Sequence, residues 1–379
     1  MLIRKETTRR EFVAWGVKLG ISISALPYIW DMISPDLSSA ESGYKETKWY
    51  TRTADNKVQC EICPKNCLLE DGQTCFCRTR TNIKGKLMTS AWNNPSVVEM
   101  AKIESAPLYH YAAGTEFLAI GVSGCNLRCS YCQNHTVSQH TPEETRNYRF
   151  DYKDAVSAAR GKKLKGILFT FTEPVAYLEY MTKIAEASKS NGLAVAAATS
   201  GYINEHVLKE TAKNVDAFTV TLKGFGSDFY RKVCNVEISN VLNAMETIKR
   251  EGKWLEVVNL IIPTLNDNPA EIMDMAVWIK NYLGNDTPLH FTRFYPAYRM
   301  KSLQETPITS LENARNIAMS AGLKFVYTTN IPGHPGGDTY CPNCGNTAIS
   351  RKGFDVVRIN LTGGRCIACG KEVAGRFVV

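Results

Sequence analysis

Three cysteines, Cys125, Cys129 and Cys132, lie in the run Gly121-Val122-Ser123-Gly124-Cys125-Asn126-Leu127-Arg128-Cys129-Ser130-Tyr131-Cys132. Thiolates are soft ligands suited to zinc and to iron–sulfur clusters. Three of them can hold three irons of a cubane 4Fe–4S cluster and leave the fourth iron without a protein ligand. A cluster that only carries electrons usually has four thiolates. An open coordination position is what chemistry on a metal needs. A zinc knuckle lacking one ligand and a chance triplet are the other readings of this spacing. The position of the triplet, directly after an apolar, glycine-ended segment, favours the cluster.

Ten further cysteines bring the total to thirteen. Cys341-x2-Cys344 and Cys366-x2-Cys369 are separated by 21 residues (345–365), close to zinc-ribbon spacing. Gly345 and Gly370 follow the two knuckles, where a tight turn around a tetrahedral ion is needed. Four thiolates make a closed, structural site, for zinc or for a rubredoxin-like iron. Cys60-x2-Cys63-x3-Cys67 and Cys77 form a second module, where zinc and a second iron–sulfur cluster are both chemically allowed. Cys75 is an extra thiol within it, and Cys234 stands alone and reads as a small buried hydrophobe. Tight clusters of this kind on a long chain indicate metal ligation rather than a disulfide scaffold.

The elements that must position these residues alternate strand and helix. Apolar runs at 117–124, 166–173, 193–201, 217–224, 254–262 and 289–296 read as buried parallel strands, with a seventh at 324–330. Helical patterns fall at 174–190, 241–251, 269–282 and 310–321. Six or seven βα units predict an α/β fold: a parallel barrel, complete or partial, or a doubly wound sheet. In either, functional residues belong at the carboxyl ends of the strands. Glu173, Ser200 and Lys223 fall there. So does Thr172, and His290 lies on the sixth strand. From about Gly336 the chain reads as a separate metal-stapled module, with a strand-like segment at 354–361 and too few residues for its own core.

The triad is similar to the signature of the radical S-adenosylmethionine superfamily. Within it the chain resembles the AmmeMemoRadiSam group, relatives of the glycyl-radical-enzyme activases such as pyruvate formate-lyase activating enzyme. The stretches carrying this are Pro107-Leu108-Tyr109-His110, Gly124 through Asn134, Phe169-Thr170-Phe171-Thr172-Glu173-Pro174, Leu222-Lys223-Gly224-Phe225, Pro288-Leu289-His290-Phe291 and the two terminal cysteine modules. Together they span about residues 58–379. The resemblance implies a partial (β/α)6 TIM-like barrel (106–335) with a cysteine-rich cap (41–105) and a zinc-ribbon module (336–379).

It also implies a function. The cluster would cleave S-adenosylmethionine reductively to a 5′-deoxyadenosyl radical that abstracts hydrogen from a substrate. Thr172 and Glu173 would meet the cofactor's ammonium, Ser200 its ribose, and Lys223 and His290 its carboxylate. Tyr131, just before the third cysteine, is a further cofactor contact. The N-terminal ligands would be Cys60, Cys63, Cys67 and Cys77, with Cys75 where the family usually has glycine. The implied partners are a flavodoxin- or ferredoxin-like electron donor and a protein substrate, Memo-like or AMMECR-like proteins among them. Activases tend to carry aspartates where this chain has Ala198 and Thr221, which separates it from the activase pattern. An iron–sulfur electron carrier or metal-binding scaffold without catalysis is the alternative from another class.

Composition bounds the rest. The formal net charge is +8, but basic residues are scattered without interleaved aromatics, so no nucleic acid is expected. Residues 1–40 carry Thr8-Arg9-Arg10-Glu11-Phe12, a weakly apolar run to Trp30, and Ser38-Ser39-Ala40 as a cleavage candidate. This resembles a twin-arginine export signal, and an amphipathic anchor on the inner membrane face is the alternative. Lys18 and Pro27 make the run a poor membrane span.

Overall fold

An eight-stranded sheet runs through the centre of the molecule: β1 (Val97–Lys102), β2 (Glu116–Gly121), β3 (Gly166–Phe169), β4 (Ala194–Thr199), β5 (Ala217–Thr221), β6 (Trp254–Ile261), β7 (Leu289–Arg293) and β8 (Val326–Thr329). The strands lie side by side in chain order, and the two end strands are not hydrogen-bonded to each other. Strands β2 to β8 are all parallel. β1 joins the edge antiparallel to β2, with Val97 opposite Gly121 and Lys102 opposite Glu116. The structure is a computed structural model that describes residues 43–378; the Arg9-Arg10 motif and Ser38-Ser39-Ala40 lie outside the described residues. No helix among the described residues is long and apolar enough to cross a membrane.

All seven strands expected from the apolar runs are present, because parallel strands buried on both faces need apolar residues in succession. Their carboxyl ends come earlier than the runs suggest. The run at 117–124 leaves the sheet after Gly121, and the run at 166–173 leaves it after Phe169. The remaining residues are loop: Val122 is fully buried, and the half-buried Phe171 turns the chain with φ of 68°. β1 escaped detection because an edge strand with one covered face has only the half-buried sequence Val-Val-Glu-Met-Ala-Lys.

Among the described residues six helices of eight residues or more pack on the sheet: α1 (Tyr152–Gly161), α2 (Leu178–Ser190), α3 (Glu205–Ala212), α4 (Ile238–Arg250), α5 (Pro269–Trp278) and α6 (Ile308–Ser320). α4 shows why: Val241, Ala244, Met245 and Ile248 recur at helical spacing and are all buried. A tight turn over Pro174–Tyr177 precedes α2, and α5 loosens into a π-helical turn at Ile279–Leu283. α1 and α3 were not anticipated. α1 starts at Asp151, whose carboxylate accepts from the backbone of Lys153 (2.7 Å) and Asp154 (3.0 Å), an aspartate version of the capping box.

Two small modules flank this sheet. The N-terminal one has two three-stranded sheets, built from Tyr50–Arg52, Val58–Cys60 and Leu68–Leu69, and from Lys45–Glu46, Lys86–Thr89 and Arg80–Ile83. It is fastened to the parallel sheet by a buried ion pair. Arg80 meets Glu179 of α2 through Nε (2.8 Å) and Nη2 (2.6 Å), and also the carbonyl of Val175 (3.1 Å). The C-terminal module has strands Thr339–Tyr340, Thr347–Lys352 and Asp355–Ile359, the last within the segment expected at 354–361. Arg351 anchors it by donating to the carbonyl of Tyr109 (2.8 Å) and lying over that ring at 4.1 Å.

Candidate metal and cofactor site

The triad loop begins where β2 ends, at the carboxyl edge of the sheet. Gly124 has φ of 102°, and a Cβ there would stand 2.5 Å from Thr79 Cγ2 and 2.7 Å from the carbonyl oxygen of Cys77. Only glycine lets the N-terminal module come this close. The next backbone N–H, of Cys125, donates to that same carbonyl at 3.1 Å. Further along, the N–H groups of Arg128 and Ser130 donate to the carbonyls of Cys234 (3.2 Å) and Val233 (3.1 Å). The Arg128 guanidinium lies 3.8 Å from the Phe76 ring and donates to the Phe76 carbonyl. Asn126 donates to the carbonyl of Tyr202 (2.7 Å). The loop is therefore held from the cap on one side and from the segment after β5 on the other.

Cys129 is buried, and Cys125 and Cys132 are half-buried. Burial raises the thiol of Cys125 well above the ordinary range, and raises that of Cys132. Cys129 goes the other way, down to about 6, chiefly because the thiol of Cys234 hydrogen-bonds to it. Cys234 is fully buried, as expected for a small hydrophobe, but its place beside Cys129 and 4.0 Å from the Tyr131 hydroxyl was not foreseen. Only the fold brings the π-helical turn Tyr230–Cys234 under the triad. No spacing in the chain signals it.

Lys223, just beyond β5, places its ammonium 5.8 Å from the Tyr131 ring. No carboxylate lies within ion-pair distance of it among the described residues. Burial alone would lower its pKa, yet the net shift is upward, because Cys129, Cys234, Cys125 and Cys132 surround it with negative charge. Its backbone N–H is fixed by the hydroxyl of Tyr230 at 2.9 Å.

Glu173 caps the turn that leads into α2 and is 4% exposed. Oε1 accepts from Val175 N–H (3.3 Å) and the Thr199 hydroxyl (2.5 Å). Oε2 accepts from Ser200 N–H (2.8 Å) and the Ser200 hydroxyl (2.6 Å). Four donors occupy both oxygens, so this carboxylate ties the end of β3 to the end of β4. Thr172 donates to the carbonyl of Val122 (2.6 Å), which joins the same corner to the triad loop. The structure thus gathers Cys125, Cys129, Cys132, Tyr131, Thr172, Glu173, Ser200 and Lys223 at one edge of the sheet.

His290 is not part of that group. It is the second residue of β7, fully buried, with Nε2 2.8 Å from Glu256 Oε2 and its ring between Tyr109 (4.7 Å) and Tyr327 (4.9 Å). Its position near the amino end of β7 sets it apart from the carboxyl edge that carries the triad. Its spacing alone does not distinguish the two ends.

In the C-terminal module the sulfurs of Cys341, Cys344, Cys366 and Cys369 all lie within 4.8 Å of one another, with Cys341–Cys369 at 3.6 Å and Cys344–Cys366 at 3.8 Å. A tetrahedral ion bound at about 2.3 Å per thiolate spaces its ligands by about 3.8 Å. Gly345 and Gly370 both have φ of 72°, as the knuckle turns require. Of the N-terminal thiols, Cys75 is in side-chain contact with Cys60, Cys67 and Cys77, while Cys63 meets the side chain of Asn126.

A sequence profile of the Radical SAM superfamily matches residues 120–279. The chain is also 38% identical over 331 residues to an uncharacterized protein of Methanocaldococcus jannaschii, covering 87% of this chain and 98% of that one. The chain carries a radical SAM domain. It is 26% identical over 164 residues to the pyruvate formate-lyase-activating enzyme of Clostridium pasteurianum, covering 42% of this chain and 67% of that one. Among solved structures, a radical SAM methyltransferase from Sphaerobacter thermophilus aligns with a TM-score of 0.47 and 13% identity over 86% of this chain and 94% of that one. A domain of a pyruvate-formate lyase-activating enzyme from Bacteroides vulgatus aligns with a TM-score of 0.39 and 16% identity over 44% of this chain and 99% of that one.

A radical SAM domain implies an iron–sulfur cluster and S-adenosylmethionine, and it supports enzymatic activity. The residues present fit both. Three thiols on one loop form a soft donor set, and a cation without a carboxylate partner faces them. The hydroxyls of Thr199 and Ser200 donate to Glu173; Thr199 Oγ1 also accepts from the Gly201 N–H (3.0 Å), and each oxygen keeps a lone pair able to accept from a ligand.

Proposed function

We propose that this protein is a radical SAM enzyme that abstracts hydrogen from a polypeptide substrate. The observation that carries the reading is the pairing of a three-thiol loop with the ammonium of Lys223 at the carboxyl edge of a parallel sheet. Cys125, Cys129 and Cys132 would hold a 4Fe–4S cluster with one iron free of protein ligands. When bound, that group would supply the one-electron reduction by which S-adenosylmethionine is cleaved to methionine and a 5′-deoxyadenosyl radical.

The protein's own residues position and shield. Lys223 attracts the methionyl carboxylate, and charge-assisted hydrogen bonds of this kind are the stronger ones. Ser200 and Thr199, held by Glu173, accept from ribose hydroxyls. Glu173 acts here as the brace of these two residues, its four donors leaving the backbone of the Thr172 corner to face the cofactor's ammonium. Tyr131 covers the triad and excludes water from it. The C-terminal four-thiol site is structural and holds zinc.

A polypeptide substrate is supported by the likeness to an activating enzyme of pyruvate formate-lyase, and the motif stretches support placement in the AmmeMemoRadiSam group. A flavodoxin- or ferredoxin-like protein would deliver the electron. Anaerobic reduction of the reconstituted protein with S-adenosylmethionine should produce 5′-deoxyadenosine, and production should rise with the correct partner protein. A reconstituted, reduced protein that forms none would be an electron carrier instead.

A further inference from the structure

The five cysteines between Cys60 and Cys77 belong to neither the triad nor the ribbon. Zinc and an iron–sulfur cluster are the two groups they can take, and it is their surroundings that separate the two. The thiols are gathered in space, since the side chain of Cys75 meets those of Cys60, Cys67 and Cys77.

The surroundings are built for buried sulfur charge. Cys67 Sγ accepts from the Phe76 N–H (3.5 Å), and Cys77 Sγ accepts from Arg80 Nη1 (3.5 Å) and lies 3.2 Å from the Thr79 hydroxyl. Such donors stabilise thiolate ligands and set the potential of a cluster. Cys60, Cys63, Cys75 and Cys77 are each 8% exposed or less, whereas the ribbon leaves Cys344 and Cys369 in solvent. Exclusion of water protects a cluster and matters little to a closed zinc site.

We propose that the N-terminal module binds a second iron–sulfur cluster, held by Cys60, Cys67 and Cys77 with a fourth thiolate from Cys63 or Cys75. The site adjoins the triad, because the carbonyl of Cys77 accepts from the N–H of Cys125. It does not depend on the triad's chemistry, and the test separates the two.

The full-length chain carrying Cys125→Ala, Cys129→Ala and Cys132→Ala is purified and reconstituted anaerobically with iron and sulfide. It should retain about four irons and about four sulfides per chain, with visible absorption that dithionite bleaches. Its zinc should be about one per chain, in the ribbon. Adding Cys60→Ser and Cys67→Ser should remove the iron and sulfide and leave the zinc. About two zincs with no sulfide in the triad variant would overturn the proposal. If that variant does not fold, the unmodified chain decides: about eight irons support two clusters, and about four irons with about two zincs refute the second. Iron retained only in the N-terminal module would instead refute the reading of the triad.

Discussion

The two ends of the parallel sheet are both polar and both buried, yet they differ in how their polar groups are used. At the amino end Glu256 accepts from the backbone of Tyr109 (3.0 Å) and His110 (2.7 Å), from Trp254 Nε1 (3.0 Å) and from His290 Nε2 (2.8 Å). His110 in turn meets the carbonyl of Ala374 and the hydroxyl of Tyr327. Burial would raise the pKa of Glu256, but donation from His290 more than offsets it, so the carboxylate stays ionised beside a neutral histidine. At the carboxyl end the ammonium of Lys223 faces the thiols of the triad, and among the described residues no carboxylate lies within ion-pair distance of it. The first end is spent on holding the segment after β1, the sheet and the ribbon together. The second keeps its charges available for a ligand, which is the division expected of parallel α/β sheets.

The comparison breaks first at the triad. Cys125→Ala, Cys129→Ala or Cys132→Ala should each abolish 5′-deoxyadenosine formation while changing the melting temperature little in the metal-free protein. Turnover persisting in a reconstituted single variant would remove that cysteine from the ligand set.

At the opposite end the effect should be on stability. Glu256→Gln leaves at least two buried donors without an acceptor, at about 1–3 kcal/mol each, so the loss should be on the order of 4 kcal/mol in denaturant unfolding. A variant as stable as the parent would show that the knot at the amino end is not what holds the modules.

The same end should carry an acid sensitivity. Burial lowers the pKa of His110 from 6.5 to about 4, so the folded protein keeps this ring neutral where the unfolded chain protonates it. The unfolded state then binds more protons, and stability falls as pH drops from about 6.5 towards 4, by roughly 3 kcal/mol in total. His110→Phe should flatten this part of the pH–stability curve. Glu104, raised to about 7 by burial, works in the reverse sense: it costs stability as pH rises from about 4.5 to 7. A His110→Phe profile with unchanged acid slope would assign the loss elsewhere.

The smallest effect sharpens the reading of the carboxyl end. Lys223→Ala should weaken S-adenosylmethionine binding by about tenfold to a hundredfold, from one charged hydrogen bond of about 1.5–3 kcal/mol, and leave iron content unchanged. Equal affinity by calorimetry would place the cofactor's carboxylate away from Lys223.

What the sequence by itself determined is what lies within a few residues or repeats with a period. The spacing of Cys125, Cys129 and Cys132 within one loop, the paired knuckles at Cys341–Cys344 and Cys366–Cys369, and seven apolar strands are of this kind. Local spacing survives folding because covalent geometry carries it, and parallel strands declare themselves because both faces must be apolar. The strand-end position of Glu173 and Lys223 was legible for the same reason. Only the tertiary structure decided which distant groups meet. It placed Cys234 against Cys129, Cys75 among Cys60, Cys67 and Cys77, and the cap's Arg80 on Glu179. It also put His290 with Glu256 rather than with the triad. Those pairings depend on the register of neighbouring strands and on which end of a strand a residue occupies. Neither leaves a mark in residue type or spacing, because the same alternation of inward side chains runs the whole length of every strand.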